Sequence, residues 1–226
     1  MQKITIKELV NFRRRSDKNK KNFAYKLKHR EAKEKTNVEG GGHYWITSNS
    51  CIANVYKTDN KELYDSKIDN LHSRFNNTEI KQSKSMYQQN IDILSSFKDF
   101  DFNELKPNSK LKFESVPTNS KVLTVYDFPL FVNPNLVFSY DINGKNELGA
   151  LWLVPQINGF KKAELGMFCE ILYRFLIKNY SDNFQISQEY CIVIDTLNAQ
   201  KVTYTDLIKD NIPFLIDQTL NEIKEL

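Results

Sequence analysis

The chain has 226 residues, of which 40% are hydrophobic and 27% charged, with 15 Phe, 11 Tyr and 2 Trp. This excludes a wholly disordered chain, and 7 Gly and 6 Pro exclude a fibrous or low-complexity one. The net charge of +4 is uneven: residues 1–40 hold 13 Lys or Arg against 5 Asp or Glu, a net of +8, and the remainder is at −4.

The opening MQKITIKELVNF is charged within three residues and has no secretory apolar core. No apolar run approaches the ~18 residues that span a bilayer. Both features imply a cytoplasmic chain without a membrane partner. Cys51, Cys169 and Cys191 are odd in number and form no CxxC pair, and His29, His43 and His72 share no metal-ligand spacing. Cys169 and Cys191 read as small apolar residues of a core helix and a core strand.

In chain order, Thr5 and Glu8 have the spacing of a capping box, followed by an apolar face of Ile6, Leu9, Val10 and Phe12. A second helix is expected over residues 20–35, with only Phe23, Ala24 and Leu27 apolar, so it must lean on something or stay mobile. Gly40-Gly41-Gly42 marks a boundary. It reads as a flexible joint, because a phosphate-cradling loop needs a strand before it and a helix with Lys after it.

Ser50 is placed to cap a short helix through Tyr56, and Asp59 to cap the next, with Tyr64, Ile68, Leu71 and Phe75 at helical spacing. FNNTEIKQSKS reads as a loop, then Met86 or Tyr87, Ile91, Leu94 and Phe97 mark a helix, and residues 99–120 a long connection. KVLTVY, LVFSYDI, LGALWLV and EYCIVID read as strands. Asn143-Gly144 is a type I′ hairpin signal, and LGALWLV, apolar on both faces, is expected to be central until Pro155 ends it. Residues 161–179 make a helix with Leu165, Phe168, Leu172, Phe175 and Leu176 inward and Glu170, Arg174 and Lys178 as an exposed charged stripe. Pro213 begins a last amphipathic helix.

The expectation is an α+β fold: a helical N-terminal half, then a small mixed β-sheet flanked by helices. Residues 1–42 form a basic helical arm, 43–105 a helical region, and 106–226 an α/β core on which the helix of residues 84–98 packs.

From residue 84 the order is helix, strand, strand, strand, helix, strand, which resembles the core of the PD-(D/E)XK nuclease superfamily over about residues 84–196. The region also looks like a family of bacterial hypothetical proteins, which implies no chemistry; the Asn- and Lys-rich composition suggests an AT-rich bacterial genome. The nuclease resemblance implies carboxylates holding Mg²⁺ and a Lys beside the attacked phosphate. The matching positions hold Asn135, Ala150 and Trp152 instead. Displaced candidates are Asp141 and Glu147 around the turn, Lys161 and Glu164 at the start of the helix, and Asp195 at the end of the last strand. Each also has a plain reading as a hairpin end, a helix first turn or a strand-end cap. No cofactor is implied unless the chain is a nuclease, in which case Mg²⁺ is. GxSxG, GxGxxG after a strand and HExxH are all missing.

The basic stretch offers Arg13, Arg14, Arg15, Lys18, Lys20, Lys21, Lys26, Lys28 and Arg30 to phosphates, with Phe12, Phe23 and Tyr25 interleaved for base stacking. Its partner is DNA or RNA, or else an acidic protein or an anionic membrane, the last disfavoured by the small apolar face, or the stretch is a helix docked on the body. A helix-turn-helix over residues 50–75 is disfavoured by Glu62, Asp65 and Asp69, which would face phosphates. Three functions stay open: a binding or scaffolding module with a catalytically degenerate core, an active Mg²⁺-dependent nuclease, and a protein-interaction component of a bacterial multi-protein system.

Overall fold

The computed structural model describes residues 2–31 and 44–226. The triple glycine and the end of the expected second helix lie outside the described residues.

The fold is α+β, with two mixed sheets. The larger is five strands in the order β2 (Lys112–Glu114), β5 (Leu136–Ile142), β6 (Lys145–Val154), β7 (Gln185–Asp195), β8 (Gln200–Thr203). β5 and β6 are antiparallel around Asn143-Gly144, whose φ values of 54° and 78° are those a type I′ turn needs. β7 pairs parallel to β6, and the connection between them is helix α6 (Lys162–Tyr180). The smaller sheet joins β1 (Ile4–Thr5), β4 (Phe128–Phe131) and β3 (Val122–Val125).

Period-2 alternation divides the central strands between two cores. Leu148, Ala150, Trp152 and Val154 of β6, with Cys191 and Val193 of β7, face a core built from α1 (Ile6–Arg13), α6 and α8 (Ile216–Glu225). Leu151, Leu153, Ile192 and Ile194 face the other core, made by α3 (Ile46–Thr58), α4 (Glu62–Asn76) and α5 (Lys81–Phe97). The large sheet is therefore covered on both faces, which is why its strands read as continuous apolar runs. The N-terminal segment belongs to the first of these cores: Ile4, Ile6, Leu9, Val10 and Phe12 are buried, the Thr5–Glu8 capping box is formed, and Ala24 and Leu27 of α2 (Asp17–His29) pack beside them.

Several local expectations change. Ser50 lies inside α3 rather than at its start, and Asp59 ends α3 in the left-handed conformation, at φ 56°, instead of capping α4. The polar loop shrinks, because α5 starts at Lys81 and carries a polar outer face. KVLTVY lies in the smaller sheet, and Lys112–Glu114 takes the place beside β5. β4 contains Pro129, which hid it from period-2 reading. β1, β8 and helix α7 (Tyr204–Lys209) are too short to carry a periodic signal.

Glu170 is 1% exposed, not part of a solvated stripe. Its Oε2 accepts hydrogen bonds from the N–H groups of Leu215 (3.1 Å) and Ile216 (3.2 Å), so it caps α8 from inside the core, and its Oε1 accepts one from Arg174 at 2.5 Å. Burial raises the Glu170 carboxyl above its usual range against the pull of Arg174 and the two N–H groups.

Candidate functional site

The five candidate catalytic groups fall at two separate ends of the sheet. Asp141 and Glu147 flank the β5–β6 turn. Asp141 accepts the Gly144 N–H at 3.1 Å, which closes the turn, and Glu147 accepts the Tyr140 hydroxyl at 2.8 Å. Asp195 ends β7, paired with Val154. Seven residues separate Glu147 from Val154 along β6, roughly 23 Å at ~3.3 Å per residue, so Asp141 and Glu147 cannot share a site with Asp195.

Lys161, Glu164 and Asp195 do meet, around the loop before α6. Asp195 is fully buried and accepts from the N–H of Phe160 (2.9 Å), the N–H of Leu197 (3.0 Å) and the Asn198 amide (2.9 Å). Gly159 has φ +64°, and a Cβ there would sit 2.0 Å from Asn198 Nδ2 and 2.7 Å from Asp195 Oδ2. Glu164 accepts the Lys161 N–H at 2.7 Å and a two-pronged contact from Arg14, Nε to Oε1 at 2.7 Å and Nη2 to Oε2 at 2.6 Å. Arg14 also donates to the Gly159 carbonyl at 2.9 Å. Burial alone would push the Glu164 carboxyl up; the Arg14 guanidinium and the Lys161 N–H outweigh it and hold it below the usual carboxylate range. The oxygens of both acids are committed to protein donors, and the group ties the N-terminal segment to the core.

Beside Asn135, one of the two positions where the nuclease resemblance expects an acid, a cleft of about 670 Å³ opens between the start of α1, α3 and the ends of β5 and β6; the other, Ala150, is fully buried and does not line it. Asn133, Asn135 and Trp152 line it. Asn135 Oδ1 accepts the Leu153 N–H at 2.8 Å, and Trp152 packs edge-on against Phe168, centroids 5.4 Å apart. None of the described lining residues is Asp or Glu, and among the described residues no group of three or more His, Cys, Asp or Glu could hold a metal ion. This lining does not fit a divalent cation, which needs charged oxygen ligands. Two lysines, Lys7 and Lys57, face the cleft instead. Sequence reading had no signal for them, because they come from α1 and α3 and reach the cleft only through tertiary packing.

The basic residues of the N-terminal segment divide into two groups. Arg14 holds Glu164, Lys20 holds Glu222 at 2.6 Å, and Arg30 pairs with Glu8. Arg13 donates to Thr219 at 3.1 Å, and the Arg15 guanidinium lies over the Phe23 ring at 4.1 Å. Lys18, Lys21, Lys26 and Lys28 make no ion pair among the described residues. On a helix of 3.6 residues per turn, Lys18, Lys21, Tyr25 and Lys28 share one stripe of α2 that adjoins the buried Ala24 and Leu27; Lys18, Lys21 and Tyr25 are exposed, and Lys28, next to Ala24, is half-buried. Tyr25 is 62% exposed and stacks on His29 with centroids 4.2 Å apart.

No helix among the described residues is long and apolar enough to cross a membrane. No protein-family model matches the chain, and comparison with curated proteins and with solved structures finds no match either.

Proposed function

We propose that the chain is a nucleic-acid-associated protein that binds or scaffolds without cleaving, with a core that resembles a PD-(D/E)XK nuclease but lacks its acids. The observation that carries this reading is the stripe of α2 where the exposed Lys18 and Lys21 and the half-buried Lys28, without carboxylate partners among the described residues, flank an exposed Tyr. Ammonium groups at this spacing neutralise phosphates, and a phenol ring among them offers an unpaired base a face to stack on. The non-catalytic part of the reading is supported by the candidate acids, which either cap backbone groups or lie at opposite ends of a strand.

The test is a native gel with labelled single- and double-stranded DNA and RNA, run with Mn²⁺ and with EDTA at two salt concentrations. The probe should shift intact. With three or four phosphates contacted, affinity for a single strand should fall about 20- to 50-fold on a fourfold rise in salt. The triple variant Lys18→Glu, Lys21→Glu, Lys28→Glu should abolish the shift and keep the wild-type melting temperature. A probe shortened only with Mn²⁺ would overturn the non-catalytic reading. A probe left free and intact would overturn nucleic-acid binding and turn the search to a protein partner.

A further inference from the structure

We propose that the cleft between α1, α3 and the ends of β5 and β6 binds a mononucleotide, with its phosphate taken by the lysines and its base by the aromatic and amide groups. The cleft shares no residue with the α2 stripe, so this inference and the nucleic-acid reading fail independently.

Size is the first requirement. A volume of about 670 Å³ lies within the ~300–1,000 Å³ of small-molecule sites.

Charge is the second. Several partly buried cations of this protein have carboxylate partners: Arg14 has Glu164, Lys20 has Glu222, and Arg174 has Glu170 and Asp217. Lys7 differs. Among the described residues its ammonium has one hydrogen bond, a long 3.3 Å contact to the Pro155 carbonyl. Burial, together with the nearby Arg14 charge, makes its ammonium form less favourable than in water. An anion in the cleft would favour the ammonium form and offset both effects. Lys57, on the last turn of α3, adds a second positive charge at the rim, where its ammonium lies over the Phe113 ring at 5.3 Å.

The rest of the lining selects the ligand further. Both tryptophans of the chain, Trp45 and Trp152, border the cleft, and a ring beside them gains stacking and apolar contact. Asn49, Asn54, Asn133 and Asn135 each bring an amide. Asn135 spends its oxygen on Leu153 and keeps its NH₂; Asn49 donates to the Leu153 carbonyl at 3.3 Å, and its oxygen has no partner. An amide presents a donor and an acceptor side by side, which matches the edge of a nucleobase. A bare oxyanion would leave the aromatic wall unused. An apolar ligand would leave Lys7 desolvated and unpaired. A divalent cation would be repelled.

The experiment is calorimetric titration of the full chain with uridine monophosphate, adenosine monophosphate, uridine and inorganic phosphate, with tryptophan emission as a second readout. At least one monophosphate should bind and change the emission, and uridine and inorganic phosphate should each bind about 10-fold more weakly or worse. Lys7→Met should weaken the monophosphate by about 10-fold or more and leave uridine unchanged. Should Lys7→Met fail to fold in a thermal melt, the exposed Lys57→Gln takes its place, with a loss of about 3-fold or more expected at the monophosphate alone. No binding of either monophosphate would overturn the proposal. So would inorganic phosphate binding as tightly as the nucleotides, or the folded lysine variant keeping wild-type affinity.

Discussion

Replacing Arg14 by Met keeps most of the side-chain stem and deletes the guanidinium that holds Glu164. The carboxylate is then left with the Lys161 N–H as its remaining partner, and the Gly159 carbonyl loses its donor. Breaking a fully buried ion pair costs about 3–5 kcal/mol, while an exposed pair is worth about 0–1 kcal/mol. Glu164 is 11% exposed here and Arg14 34%, so water reaches one partner and screens the loss. The expected cost is about 2 kcal/mol, or a fall of about 4–8 °C in melting temperature for a chain of this length. Urea unfolding followed by tryptophan emission measures it, with the midpoint falling and the slope unchanged.

The pH dependence gives a second check. The Glu164 carboxyl sits below its ordinary value of 4.5 in the folded protein, so the folded state binds fewer protons than the unfolded chain. Its contribution is present above that value and lost as pH falls through the lower, folded one. The gap between wild type and Arg14→Met should therefore hold steady near neutrality and narrow in acid. A cost below about 0.5 kcal/mol, or a gap that widens in acid, would refute the claim that this pair ties the N-terminal segment to the core.

Other substitutions probe the rest of the structure. Gly159→Ala forces a Cβ against Asn198 and Asp195 at a left-handed φ, and should cost about 2–4 kcal/mol by thermal melting. Leu172→Ala opens a cavity under the large sheet, at a fully buried position, and should cost about 2–5 kcal/mol in urea. Glu170 has its carboxyl raised by burial, so the folded state holds the proton longer than the unfolded chain, and stability falls as pH rises from 4.5 through the raised value. Glu170→Gln should flatten that part of the stability–pH curve; an unchanged slope would show that Glu170 does not titrate there.

The elements that were legible in the sequence are those whose signal is local. The Thr5–Glu8 box needs two side chains three residues apart, and it forms. The Asn143-Gly144 turn needs two residues that tolerate positive φ, and β6 and β7 show their burial as unbroken apolar runs. Helices α1, α4, α5, α6 and α8 follow from 3.6-residue periodicity, though α5 begins earlier than its polar first turns suggested.

What tertiary structure decided is which charges meet. Glu170 and Arg174 have the spacing of an exposed helix pair, yet Glu170 is buried because α8 begins over it and needs an acceptor for its first N–H groups. Arg14 reads as one more cation of a basic stretch, and its partner Glu164 lies 150 residues away. Lys7, Lys57 and Asn49 come to one cleft from two helices that sequence keeps apart. Helix periodicity and turn chemistry are written in neighbouring residues, so they survive in one dimension. The partner of a charge, and the wall of a cleft, depend on which surfaces pack together, and that is settled only when both faces of the large sheet are covered.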